Sequence, residues 1–339
     1  MGLLLELVQL LLRVRDVLSA APQIPERPLV APWYRIVRSG ERLLFEHGHD
    51  VVAFEGAAAT KLLPVLVPLL DGTRSVDEVV AHVGEAVRPA VDQALELFAG
   101  HGLLAEGPAL AGDVPAPVRS AVYALAAGSR ERDAVAAAAR SLGAARVVVL
   151  GTSPIAVELA RLLRLSGIGD VVMGGVEAPA APGDAFVVAA PARAEVPRLT
   201  EWNRRALARS TAWMQVLPFD GRIAVVGPVF VPGETCCYTC YVLRRASNVE
   251  YEGDFEAIEA VAGSAASTPS FDAMHAGLAA TTALRWIAGR DSFVPGQLQV
   301  IEPVPTIGVT AHWVLRVPRC PACSGLCDLP RPLPWHEAA

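Results

Sequence analysis

The sequence predicts an α/β protein in which a small module of three strands and three helices precedes a larger domain with a parallel sheet. In the front module, three short β-type runs give way to helical periodicity within roughly 75 residues. Further along, runs that are apolar throughout alternate with helices, which is typical of a parallel sheet buried on both faces. Two Cys-x-x-Cys pairs in the last third of the chain predict a metal site within that larger domain.

Length and composition exclude several classes of protein. At 339 residues, the chain can form two domains that each bury a core. A net charge of -6 with no basic stripe argues against a nucleic-acid partner. Six cysteines without a convincing secretory leader favour a reducing compartment, so we expect a cytoplasmic protein.

Residues 1–26 are expected to form an extension ahead of the first domain. An apolar run occupies residues 3–18, but Glu6 and Gln9 interrupt it and no positive segment precedes it. We predict an amphipathic helix here, with a membrane-surface anchor as the alternative. No later stretch reaches about 18 uninterrupted apolar residues, so no segment is expected to cross a membrane.

The front module is predicted over residues 27–110. Its strands are expected at 33–38, 42–46 and 50–54, because Gly-containing turns separate these β-type runs. Helices are expected at 57–70, with Pro64 and Pro68 kinking or ending it, at 75–82 and at 89–98. Three strands and three helices in this space predict a compact, winged-helix-like module.

A helical linker is predicted at 111–143, and the α/β domain is predicted to follow at 144–328. The linker carries two Ala-rich helices, the second of which is expected to stop at Gly143. Parallel strands are expected at 146–150, 170–173, 185–190 and 212–216. Helices are expected at 156–166, 197–210 and 271–288, and antiparallel strands at 222–226, 297–301 and 309–316.

Four cysteines form the predicted metal site: Cys237, Cys240, Cys320 and Cys323. Four thiolates delivered as two pairs can close a tetrahedral shell around zinc and leave no position for water, so the site is expected to be structural. Four reduced core cysteines, or two small disulfide loops, are the alternatives. Cys236 and Cys327 are left over, and we interpret each as a buried thiol rather than a fifth ligand.

The loop after the first parallel strand is where a nucleotide phosphate would meet a helix N-terminus. At 151–156 the sequence keeps only one glycine, Gly151, and Pro154 removes an N–H donor that such a loop would offer. The second strand ends in Met173-Gly174-Gly175, without an acid for a ribose hydroxyl. Because Lys61 lies outside this domain, only arginines such as Arg204 and Arg205 are left for a phosphate clamp, so no nucleotide is expected at this loop.

The segment GPVFVPGETCCYTCY at 227–241, with Arg244-Arg245 and CPAC at 320–323, resembles the ThiF-like (ubiquitin-activating-type) superfamily. Within it, the chain is similar to the leader-peptide-binding partner proteins of azole-forming YcaO cyclodehydratases, found in thiazole/oxazole-modified microcin and thiopeptide pathways. WYRIVRSG at 33–40 with LVPLLDGT at 66–73 looks like the winged-helix peptide-recognition element of that family. The resemblance covers about residues 27–325.

This resemblance implies a Rossmann-type ThiF-like domain with structural zinc, and a precursor leader peptide and a separate YcaO enzyme as partners. The chain departs from adenylating members at Ser153-Pro154, Met173-Gly174 and Pro191, so we expect an accessory component that is not itself an enzyme. Two alternatives remain: an adenylyltransferase that activates a peptide or carrier-protein C-terminus, and a peptide-recognition protein that serves another modification. Whether the chain forms a homodimer is left open.

An extended leader can add as a strand to the edge of a small sheet. We expect this edge at the third strand of the front module, facing the third helix. The predicted peptide-binding residues are Asp50, Val51, Val52, Phe54, Leu95 and Phe98. Four of them are groove candidates, and the alternative is that these four fill the core of the module: Val52, Phe54, Leu95 and Phe98. The Pro-rich tail at 329–339 is interpreted as a polyproline II extension, with a docking strand and a disordered end as the alternatives.

Overall fold

The computed structural model describes residues 23–129, 133–177, 185–249, 252–261 and 265–326. The predicted helix at 3–18, Cys327 and the predicted tail at 329–339 lie outside these residues. The chain divides into two compact units. The first runs through residue 115 and takes in 122–136, and the second contains 116–121 and the chain from 137 onward.

The first unit contains two antiparallel sheets. One pairs β1 (Pro28–Val30) with β5 (Leu104–Glu106). The other has the order β2-β3-β4, with β2 (Arg35–Ser39) and β4 (Asp50–Phe54) at its edges and β3 (Arg42–His47) between them. The register places Phe45 between Ile36 and Val52, so the central strand carries the most buried aromatic side chain of this sheet.

The helices of the first unit follow the three-stranded sheet. A π-helical turn at Ala58–Leu62 leads into α1 (Leu63–Leu66) and a 3-10 turn at Val67–Leu69, because Pro64 and Pro68 offer no N–H to a regular ladder. α2 (Val76–Val83) and α3 (Arg88–Gly100) come next.

A capping box fixes the start of α2. The Glu78 N–H donates to Ser75 Oγ at 3.3 Å, and the Ser75 N–H donates to the Glu78 carboxylate at 2.7 Å. These helices cover one face of the three-stranded sheet. A core cluster of the unit includes Phe45, Leu63, Leu66, Leu70, Leu95 and Phe98.

The second unit is built on a seven-stranded mixed sheet with the order β12-β11-β10-β9-β8-β6-β7. Strands β7, β6, β8 and β9 are parallel, and β9 to β12 are antiparallel neighbours. The strands are β6 (Arg146–Leu150), β7 (Asp170–Gly174), β8 (Phe186–Ala189), β9 (Trp213–Leu217), β10 (Ala224–Phe230), β11 (Gln297–Glu302) and β12 (Gly308–Trp313). The protein therefore has a mixed α/β fold with antiparallel strands at its front.

Helices lie along both the linker and the second unit. They are α4 (Ala116–Ala127), α5 (Ala134–Ala144), α6 (Pro154–Leu165), α7 (Leu199–Ala208), α8 (Tyr238–Ala246), α9 (Phe255–Glu259) and α10 (Pro269–Gly289). α10 packs on α6 and β10. Gly143 lies inside α5, which ends at Ala144 rather than before that glycine, and α8 was not predicted. No helix of the described residues is long and apolar enough to cross a membrane.

Candidate functional site

The four predicted metal ligands lie together in the core of the second unit. Their sulfur atoms all lie within 4.8 Å of one another, and all four side chains are buried: Cys237, Cys240, Cys320 and Cys323. The first pair sits at the start of α8, where Cys237 is the N-cap residue. The second pair follows β12, and the Cys320 N–H donates to Val317 C=O at 3.0 Å, which forms the turn. The chain thus brings the two pairs together from positions 83 residues apart.

The spacing of the sulfur atoms fits a tetrahedral metal site. Sγ–Sγ distances are 3.8 Å for Cys237–Cys240, 3.7 Å for Cys237–Cys320 and 3.6 Å for Cys240–Cys323. A tetrahedron with Zn–S bonds of about 2.3 Å has edges of about 3.8 Å. A disulfide needs about 2.05 Å, so these cysteines are reduced and do not form the alternative disulfide loops. The donor set is compatible with structural zinc, and the identity of the metal stays a prediction.

The electrostatics of the cluster favour one thiolate before any metal is bound. The pKa of Cys240 is lowered to about 4, because its sulfur accepts hydrogen bonds from the Cys237 thiol and from the Val317 N–H. Burial raises the pKa of Cys323 to about 12. Binding of a metal by all four sulfurs must therefore release protons.

Cys236 is buried next to the first pair but lies outside the four-cysteine group. Burial raises the pKa of its thiol to about 12. This position agrees with its interpretation as a buried thiol.

The predicted peptide-binding residues separate into an exposed edge and a buried core. On edge strand β4, Asp50 and Val51 are exposed, whereas Val52 and Phe54 are half-buried against the core. Leu95 and Phe98 of α3 are fully buried, so a peptide cannot contact them without opening the unit. The rings of Phe54 and Phe98 lie 5.0 Å apart, which shows how the edge strand is anchored to that core.

One exposed apolar residue of α3, Leu97, is not among the predicted peptide-binding residues. Leu97 is 46% exposed, whereas its neighbours on the core face are buried. The helical period gave the signal, because Val91, Leu95 and Phe98 share one face and Leu97 lies off it.

The order of the parallel strands reverses at β6, which has β7 on one side and β8 on the other. Such a switch point is the usual place for a ligand in an open α/β sheet. Here the loop after β6 packs onto the loop after β8. Gly151 has φ +127°, and a Cβ on it would lie 2.2 Å from the Ala190 carbonyl oxygen. Ser153 Oγ donates to Ala190 C=O at 2.8 Å and accepts the Ala156 N–H at 3.1 Å, so it caps α6 itself.

The arginines considered for a phosphate clamp are engaged elsewhere. Arg204 pairs with Glu201, and Arg205 donates to Val176 C=O at 3.0 Å. Whether a nucleotide binds this loop stays a prediction of the sequence.

Other polar residues near the sheet have structural partners. Arg244 donates to the carbonyls of Leu315 and Arg316, and Arg245 forms an ion pair with Glu259 at 2.8 Å. His275 is buried, with Nε2 3.1 Å from Val225 C=O.

A cleft of about 1140 Å³ lies between the end of α8 and strands β10 to β12, and no sequence signal indicated it.

Comparison with known proteins gives a fold rather than a family. No family model matches the sequence, and no curated protein matches it. Among solved structures, the heterocyclase TruD matches with a TM-score of 0.67 at 23% identity, over 88% of this chain and 43% of that one. A heterocyclase in complex with substrate and cofactor matches with a TM-score of 0.63 at 20% identity, over 87% and 39%. The chain thus spans less than half the length of these two proteins.

E. coli MccB matches over almost its whole length. Its structure with MccA-N7isoASN has a TM-score of 0.61 at 14% identity, over 88% of this chain and 99% of that one. Its structure with ATP has a TM-score of 0.59 at 15% identity. At these identities the matches establish a common fold.

These neighbours overturn one expectation from the sequence. The chain was expected not to be an enzyme, but the solved structures that share its fold include proteins named heterocyclases, which are enzymes. That expectation is therefore wrong. It depended on the departures at Ser153-Pro154, Met173-Gly174 and Pro191, which concern only the expected nucleotide site.

Proposed function

We propose that this chain is the peptide-binding part of an azoline-forming heterocyclase. In this proposal it holds the leader of a ribosomal precursor peptide while a YcaO-type enzyme uses ATP to form thiazoline or oxazoline rings from Cys, Ser or Thr. The fold shared with two heterocyclases supports the proposal. The coverage also supports it, because 43% and 39% of those chains are matched and the rest has room for a further catalytic domain.

The observation that carries the proposal is the free edge of β4. Among the residues that the structure describes, this strand pairs with β3 alone, so its outer N–H and C=O groups can pair with an extended peptide. Val51 is 54% exposed on this strand, and Val52 and Phe54 are half-buried beside it. An added strand would gain main-chain hydrogen bonds and apolar contacts at one edge.

Binding at this edge accelerates ring formation by proximity. A leader held by the chain keeps the attached core peptide near the ring-forming enzyme at an effective concentration on the order of millimolar. The four-cysteine centre, far along the sequence, has the role of holding the second unit together.

The proposal is tested by titrating the full chain with the leader of the neighbouring precursor gene and measuring fluorescence anisotropy. Val51→Glu is expected to weaken binding at least about tenfold, because it places a charge at the apolar edge. The matched control is Val65→Glu, the same change at a residue that is 51% exposed outside β4. Equal effects of the two variants, or no binding by the parent, would reject the proposal.

A second candidate is an adenylyltransferase, favoured by the match to 99% of the MccB chain and by the MccB structure with ATP. The closed loop at Gly151 and Ser153 weighs against it. ATP–pyrophosphate exchange by the purified chain with a peptide substrate separates the two candidates. Robust exchange without any YcaO enzyme would favour the adenylyltransferase, and exchange at background would favour the heterocyclase component.

A further inference from the structure

A buried four-cysteine centre has an electrostatic requirement that its ligands do not meet. Four thiolates around a divalent cation leave a formal charge of about -2, and the four cysteines here are buried in the core of the second unit. A buried net charge is costly unless an opposite charge lies nearby. The surrounding chain should therefore supply a cation.

Arg316 has the position that this requirement predicts. It immediately precedes Val317, whose N–H donates to Cys240 Sγ at 3.4 Å. Its Nη1 donates to Gly233 C=O at 3.0 Å, in the turn that leads into the first cysteine pair. The side chain therefore connects the segments that carry the two pairs.

The rest of this guanidinium group is buried without a partner. Its Nε and Nη2 atoms are buried and have no hydrogen bond among the described residues. The neighbouring arginines differ: Arg244 is bound to two carbonyls, Arg245 pairs with Glu259, and Arg319 is exposed.

We propose that Arg316 is a positioning residue of the four-cysteine centre, whose positive charge compensates the tetrathiolate and raises its affinity for metal. In this proposal, the guanidinium group interacts with the four-cysteine centre through its charge rather than through a hydrogen bond. Residues outside the ligand set typically change metal affinity about ten- to hundredfold when they are replaced. This proposal concerns only the metal centre and stands independently of peptide binding.

The test compares Arg316→Gln, Arg316→Lys and Arg319→Gln in the full chain. Gln keeps a polar amide but has lost the charge, whereas Lys keeps the charge without the planar fork. Zinc affinity is measured by chelator competition, cobalt binding is followed by its absorption in a thiolate site, and circular dichroism reports folding. We expect Arg316→Gln to lose about ten- to hundredfold in affinity. Arg316→Lys should stay within about threefold of the parent, and Arg319→Gln should match it.

Three results would overturn the proposal. Equal losses in the Gln and Lys variants would indicate that the shape of the guanidinium fork matters rather than its charge. The other two results are an affinity of Arg316→Gln within about threefold of the parent and a parent that binds no metal. If Arg316→Gln fails to fold in excess zinc, folding of Arg316→Lys supports the proposal and failure of both rejects it.

Discussion

Single residues of the second unit carry most of the testable chemistry, and the cysteines are the clearest case. Cys240→Ser is expected to abolish stoichiometric zinc and to unfold much of this unit, since structural zinc contributes on the order of 10 kcal/mol to folding. Cys236→Ala is the matched control, because Cys236 is equally buried but lies outside the group of four. Elemental analysis and thermal melting measure both effects, and identical melting of the two variants would show that the ligand set is wrong.

His275 gives a pH dependence with a definite sign. Burial lowers its pKa below the ordinary value of 6.5, so the folded state holds it neutral while the unfolded state gains a proton as the pH falls. Its contribution to stability is therefore present above pH 6.5 and is lost as the pH falls below that value.

Urea unfolding at pH 7.5 and pH 5.5 measures this effect. We expect the loss of stability on acidification to be smaller in His275→Gln than in the parent, by about 1 kcal/mol. Zinc release from the cysteines is common to both proteins, so the difference between them isolates the histidine. An identical loss in both would mean that the His275 pKa does not change on folding.

At the scale of elements, the loop between β6 and α6 is tightly packed against its neighbour. Gly151→Ala is expected to destabilise the protein by at least about 2 kcal/mol, because φ is positive and the new Cβ would collide with the Ala190 backbone. Gly143→Ala is the opposite case: it lies in α5 with open space around it and should stabilise by about 0.5–1 kcal/mol. Thermal melts of both variants measure these shifts, and a neutral Gly151→Ala would contradict the close packing of the two loops.

Elements with strong local signals could be predicted from the sequence. The strands at Asp50–Phe54 and Arg146–Leu150 and the capped start of α2 lie where turns, apolar runs and the Ser75 box placed them. Helix α8 was not predicted, although Tyr238 and Tyr241 are buried on one face of it at helical spacing. The pairing of β1 with β5 depends on contacts between distant segments, which no local pattern encodes.

The candidate site was predictable only where its chemistry is visible in residue types. Two Cys-x-x-Cys pairs identify four thiols, and the structure brings them together. The peptide-binding residues were harder to predict, because apolar side chains on β4 and α3 are equally suited to a core and to a binding surface. Burial separates them: Leu95 and Phe98 belong to the core, whereas Val51 and Leu97 are exposed.

At the scale of the whole molecule, the two units have separate cores with different dependence on metal. The cysteines all lie after residue 235 and five of them belong to the core of the second unit, whereas the core around Phe45 and Phe98 contains none. Removing zinc with a chelator should therefore lower the melting temperature of the second unit while leaving the first unit folded.

Scanning calorimetry with and without chelator should then change from overlapping to separated transitions. Leader affinity, measured by anisotropy on the same samples, should stay within about twofold, because the β4 edge depends on the metal-free core. The control is Cys240→Ser, which should reproduce the chelated calorimetric profile without chelator. Loss of leader binding together with zinc would mean that the peptide is held by the second unit, and the β4 edge would then be the wrong site.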